Sequence, residues 1–111
     1  MKSLPILGFA LLAGCVDQIP EHVELVQAGS EVEIVYDTPS EHAYKMVGSV
    51  RGIAEGPDAE SATEAARNDL RNKAAALGAT LVTVDENMGE PVLLLGKTKV
   101  TLFGRAFKAV D

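Results

Sequence analysis

Few side chains in this 111-residue sequence are equipped for chemistry, and they are scattered. There is one thiol, Cys15, and there are two imidazoles, His22 and His42. A zinc site needs three or four convergent ligands. Two distant histidines and one cysteine do not supply them, so no metal site is expected. Asp85-Glu86-Asn87-Met88-Gly89-Glu90 carries the acids of half a calcium loop. An EF-hand loop needs more oxygen ligands at fixed odd spacing and a helix on either side, so an acid-rich turn is the better reading. No glycine-rich phosphate loop follows a strand, no G-x-S-x-G elbow is present, and the hydroxyls have no base partner in the sequence. Neither catalytic residues nor a cofactor are expected, and the chain does not read as an enzyme. Ten basic against sixteen acidic residues give a net charge of −6, which lacks the basic footprint of a nucleic-acid binder.

Cys15 stands apart because of what precedes it. Residues 1–14 read MKSLPILGFALLAG, a single Lys2 followed by an apolar run from Leu4 to Ala13. That is a secretory signal layout. Its apolar run of about ten residues falls short of the roughly 20 that a spanning helix needs. The run ends Leu12-Ala13-Gly14-Cys15, which resembles the lipobox of bacterial lipoproteins. The resemblance implies cleavage before Cys15 by signal peptidase II, with a small residue at the cleaved bond to admit the peptidase. The Cys15 thiolate would take a diacylglycerol, and the new N-terminus an acyl chain such as palmitate. One chain binds membranes marginally; two or more anchor stably. Val16 occupies the position where aspartate would favour inner-membrane retention in enteric bacteria. The outer membrane is therefore expected, with the outer face of the inner membrane as the alternative because Asp17 comes next.

The remaining chain must fold around few aromatic residues. Residues 15–30 read as the lipidated cysteine and a tether, with a proline, several charges and a Gly-Ser end. Residues 31–111 read as one domain. EVEIVY at 31–36 alternates, with Val32, Ile34 and Tyr36 on one face of a strand. A turn cluster at 37–40 leads to a second strand within 44–53, where Gly48 and Gly52 predict a bulge or a close backbone approach. Ser61-Ala62-Thr63-Glu64 matches a capping box, with Ser61 at the N-cap. Ala62, Ala66, Leu70, Ala74 and Leu77, flanked by Ala65, form an apolar stripe that Gly78 should end. The opposite face carries Glu64, Arg67, Asn68, Arg71 and Asn72. TLVTVD at 80–85 predicts a third strand, 86–89 a loop, and 99–110 a last strand bent at Gly104. The expected fold is α+β and two-layered, one α-helix packed on a small β-sheet in the order β-β-α-β-β.

The helix and its exit, from Ala66-Arg67-Asn68-Asp69-Leu70 through Leu77-Gly78-Ala79 into a valine-rich strand, resemble a known family. So do Val47-Gly48 in the second strand and Gly104-Arg105-Ala106-Phe107 in the last. These features are similar to small bacterial envelope lipoproteins carrying the domain of unknown function 4156, and more distantly to the outer-membrane Rcs stress-sensor lipoprotein. The likeness spans roughly residues 30–110. It brings no established enzyme activity. Members of that family often carry two cysteines, at positions that align with Tyr44 and Ala109. Both are absent here together, as loss of a paired disulfide implies.

Two surfaces invite a partner. Asn68 and Arg71, beside Asp69 and Asn72, would form a polar recognition face on the helix; the plainer alternative is a solvated side with Asp69 or Asn72 bonding a nearby loop. Val92, Leu93, Leu94 and Leu95, bracketed by Pro91 and Gly96, would form a membrane- or partner-facing element, or else a strand buried on both faces. Two functions remain open. One is a non-enzymatic interaction or stress-sensor module held to the envelope membrane by its N-terminal lipid. The other is a small-ligand or ion-binding envelope protein.

Overall fold

The computed structural model describes residues 19–92 and 96–110. A short helix α1 (Gln27–Ser30) is followed by β1 (Glu33–Val35), β2 (Tyr44–Gly56), α2 (Ala59–Ala76), β3 (Leu81–Thr83), β4 (Glu86–Val92) and β5 (Lys97–Ala109). The fold is two-layer α+β, with α2 packed on one five-stranded sheet.

The sheet is built around β5. β2 pairs antiparallel along almost its full length, from Tyr44↔Ala109 to Gly56↔Thr98. On the other side of β5 lie β3, through Leu81↔Phe107, and β4, from Glu86↔Phe103 to Val92↔Lys97. β1 extends the sheet by pairing parallel with β3. The connection 36–43 must carry the chain from β1 at one edge to β2 at the other. Arg105 Nη2 donates to Thr38 Oγ1 at 2.9 Å and Val110 N–H to Ala43 O at 2.8 Å, so it crosses the face opposite α2. Leu81 and Phe107 are buried at that end, and the Arg105 guanidinium lies 5.6 Å from the Phe107 ring centre.

The core lies between α2 and the sheet. Ala62, Ala66, Leu70 and Ala74 are fully buried, and Ala65 nearly so. They face Ala54, Val82, Val100, Leu102 and Ala106. Small residues on both sides let the layers come close. A Cβ at Gly52 would sit 2.8 Å from Leu70 Cβ and nearer still to Ala66 O. Gly48 and Gly56 abut Leu77 and Ala62 on the same face of β2. The expected bulge is present, between Met46 and Gly48. At Gly104 the register with β2 runs unbroken; the residue supplies room there, for the Thr83 backbone.

Several expectations need correction. Helix α2 begins earlier than Ser61. Asp58 is the N-cap, extended at φ −149° and ψ 173°, and its carboxylate accepts the Ser61 N–H at 2.7 Å. The Ser61 N–H bond draws the Asp58 carboxyl below its ordinary pKa. Aspartate adds a charge complementary to the helix dipole, which serine lacks. Asp58→Ala should therefore lower Tm by about 4–8 °C, as a lost N-cap does in a domain of this size, and Ser61→Ala by less. Thermal melts of the two variants check the order. The far end behaves as expected. Gly78, at φ +81°, follows the C-cap Leu77, and Ala79 and Gly78 N–H groups return to Ala74 O and Ala75 O in a Schellman motif. Leu77 itself is 45% exposed because the stripe has run out at the cap. Tyr36 lies beyond the end of β1 and is 62% exposed, its hydroxyl accepting from Arg67 Nη2.

Residues 86–89 are strand, not loop. The side chains Glu86 to Pro91 are all exposed, so β4 has no buried alternation to read; it exists because β5 offers its backbone. Pro91 and Val92 complete that strand, and Gly96 turns at φ +64° into β5, which starts at Lys97 rather than Lys99.

Candidate functional site

The outer side of α2 is where the polar side chains of the domain converge. Residues 22–26, expected as tether, run along this helix without regular structure. Asn68 Nδ2 donates to Val23 O at 2.9 Å. One turn further on, Asn72 Nδ2 donates to Glu24 O at 2.8 Å while its Oδ1 accepts Val26 N–H at 3.0 Å. Arg71 then donates to Val32 O at 2.9 Å and Ser30 O at 3.1 Å. Asparagines at i and i+4 share a helix face, so their amides present one row of donors and acceptors to the passing backbone. The row fixes α1 as well: buried Gly29 sits so near Asn72 that no Cβ fits between them.

The other flank of the helix faces β2. Asp69 accepts Ile53 N–H at 2.9 Å and pairs with Lys73 at 2.9 Å, and Lys73 Nζ donates to Arg51 O at 2.9 Å. The plainer reading of the helix, in which Asp69 or Asn72 bonds a nearby loop, describes Asn72; Asp69 instead bonds the strand β2 at Ile53. Asn68 and Arg71, weighed as recognition residues, direct their amide and guanidinium to the chain's own backbone.

Further toward the N-terminus, Pro20 O accepts Glu55 N–H at 2.8 Å, and Glu21 pairs with Lys97. This brings the start of the described chain to the foot of the β4–β5 hairpin. Val92 stands opposite Lys97 there and is half-buried. Leu93, Leu94 and Leu95 lie outside the described residues, as do Cys15 and its lipobox partners Leu12, Ala13 and Gly14. An open depression of about 410 Å³ lies between this segment and the first turns of α2, lined by Glu21, His22, Glu60, Ser61 and Glu64 among others. Among the described residues, no three His, Cys, Asp or Glu side chains converge as a metal site, and no helix is long and apolar enough to cross a membrane.

The acidic run 85–90 is divided in its roles. Asp85 takes a two-pronged bond from Arg105, Nε to Oδ2 at 2.9 Å and Nη2 to Oδ1 at 3.0 Å. That bond, aided by the Thr83 hydroxyl, holds the Asp85 carboxyl below its ordinary 3.8. Because the folded pKa is depressed, the stabilisation is complete above the unfolded value and disappears as pH falls through the folded one. Both groups are about one-third exposed, so salt weakens the pair. An Asp85→Asn variant should melt below wild type near neutral pH, and the gap should close below pH 3.8 and narrow in high salt. Paired melts across pH and ionic strength measure it.

A model of the family described as Domain of unknown function (DUF4156) matches residues 23–109. The chain belongs to that family. No curated protein matches it. The DUF4156 match starts at Val23, the residue at which the backbone first engages Asn68, so the segment laid along α2 falls within the family's span. The register also gives meaning to the two positions where the resembling lipoproteins often carry cysteines. Tyr44 and Ala109 are direct cross-strand partners, and the Val110 N–H to Ala43 O bond makes them a non-hydrogen-bonded pair, the closer kind. A Tyr44→Cys/Ala109→Cys variant of the DUF4156 domain should close on oxidation and gain about 2 kcal/mol, modest for so long a loop because engineered bridges seldom reach the entropic limit. Denaturant melts with and without reductant test this.

That Asn72 bonds a loop was legible in the sequence; that the loop is residues 23–26, and that Asn68 shares in it, was not. Asparagine is a poor helix former, and two of them in an alanine-rich helix imply that their side chains have partners.

Proposed function

We propose that this protein is a lipoprotein of the bacterial cell envelope whose DUF4156 domain serves as a non-enzymatic interaction or stress-sensor module. The observation that carries the reading is Leu12-Ala13-Gly14-Cys15 at the end of a short apolar leader. Val16 after the cysteine favours the outer membrane, with the domain on the periplasmic side; the inner membrane's outer face is the alternative. The likeness to the Rcs stress-sensor lipoprotein favours signalling over catalysis.

The geometry supports an oriented module. Five residues lie between Cys15 and Glu21, so the six steps of chain span at most about 21 Å when extended. The Glu21–Lys97 pair therefore keeps the foot of the β4–β5 hairpin within reach of a lipidated Cys15. Val92 to Leu95 would face the membrane or a membrane-bound partner. Photocrosslinkers placed in cells at Val92 and at exposed Glu64 on α2 test the division of labour. Lipid or membrane-protein adducts at Val92, with a discrete protein adduct at Glu64, support the module. The depression beside His22 favours the second reading, a small-ligand or ion-binding envelope protein. A saturable thermal shift with a metabolite or cation, and no protein adduct, would favour that reading instead.

A further inference from the structure

We propose that residues 20–26 are a releasable strap, held in cis in a groove on α2 that binds extended peptide backbone, and that release bares the groove for an extended segment of a partner protein. The proposal rests on the interaction-module reading only for the existence of a partner.

Three observations carry it. First, the strap is gripped by its backbone. Pro20 O, Val23 O, Glu24 O and Val26 N–H are each bonded by Glu55, Asn68 or Asn72, and a row of amides that reads main-chain atoms accepts any segment with the same extended geometry. Second, little apolar burial adds to that grip. Glu21, His22, Glu24 and Val26 are exposed, Pro20 and Leu25 are half-buried, and Val23 alone among residues 20–26 packs against the core cluster. Segments with few buried contacts and exposed hydrogen bonds open at much lower free energy than the core. Release has a natural stop, since Gly29 and Val32 are buried and Arg71 clamps the carbonyls of Ser30 and Val32. Third, the strap is matched to its seat at one position and not at the next. Glu21 pairs with Lys97, whereas His22 shares its depression with Glu60 and Glu64. A partner segment with a branched apolar residue at the Val23 position, an acid at the Glu21 position and a basic residue at the His22 position fits the same groove with better charge complementarity.

The purified full chain tests this without a membrane, so failure would leave the lipid-anchor reading standing. In native-state hydrogen exchange, the Val26 and Glu55 amides, held by Asn72 and Pro20, should exchange at least about 100-fold faster than the core amides of Val82 and Val100. Equal protection would overturn the strap. In a binding assay the probe is a labelled peptide with the sequence of residues 19–28 and lysine in place of His22. Its affinity should rise at least about 10-fold on Val23→Asp, where the cis strap is weakened, because in wild type it competes with a tethered segment at roughly millimolar effective concentration. Adding Asn68→Ala and Asn72→Ala should abolish the binding. A folded Val23→Asp variant that does not take up the peptide would overturn the groove. If that variant fails to fold, the strap is part of the core and the proposal is wrong.

Discussion

Gly52→Val should unfold the domain or leave it barely stable. A Cβ at this position would lie 2.8 Å from both the Cβ and the N of Leu70, and closer to the carbonyl oxygen of Ala66. Two of these obstacles are helix backbone, which no rotamer change can move. The helix must rise off the sheet, and with it the packing of Ala66, Leu70 and Ala74 on Ala54 and Leu102. Overpacking a core commonly costs about 1–3 kcal/mol when side chains can yield. Here they cannot, so a loss of about 3 kcal/mol or more is expected, a large part of the roughly 5 kcal/mol at the lower end for natural domains. Ala66→Leu attacks the same contact from the helix and should cost about 1–3 kcal/mol. The two changes should not add, because both open the same gap. Urea melts of the single and double variants check the magnitudes, and a Gly52→Val protein that melts like wild type would refute the packing account.

The second large effect concerns location rather than stability. Cys15→Ala should move the protein wholly from the membrane fraction to the soluble one, or leave an uncleaved precursor. Its mass should lack the glyceride and acyl groups. On the lipoprotein reading, removing the thiol removes every chain, since N-terminal acylation follows glyceride transfer and cleavage, and among the described residues no helix is long and apolar enough to cross a membrane. The folded domain should be untouched, so the variant and wild type should share one melting temperature in detergent. Fractionation and intact-mass measurement decide it, and wild-type behaviour in both would refute the anchor.

What could be read from the sequence was whatever a buried face imposes. The alanine stripe of α2, the glycines that meet it and the Schellman exit at Gly78 all follow from one close helix–sheet contact. The N-cap was misplaced because two overlapping frames, Asp58 to Ser61 and Ser61 to Glu64, both look like caps, and the extended backbone of Asp58 with its bond from the Ser61 N–H shows which one is used. β4 escaped notice for the opposite reason. Glu86, Met88 and Glu90 are exposed, and a strand defined by its neighbour's backbone leaves no periodic trace. The segment 22–26 was equally hidden, because its grip resides in Asn68 and Asn72, more than 40 residues away along the chain.

The Asp69–Lys73 pair has a consequence for life at high local concentration. β2 forms one edge of the sheet, thirteen residues long, and such an edge is a template on which a second chain can add a strand. By occupying Ile53 N–H and Arg51 O, the helix closes the middle of that template with charged side chains, and Pro20 closes Glu55 beyond them. β4 is guarded differently, by Glu86, Glu90 and a proline within the strand. Copies crowded together on a membrane would meet edge to edge far more often than in free solution. With β2 and β4 blunted, the edge left among the described residues is the three-residue β1, too short to template a second chain.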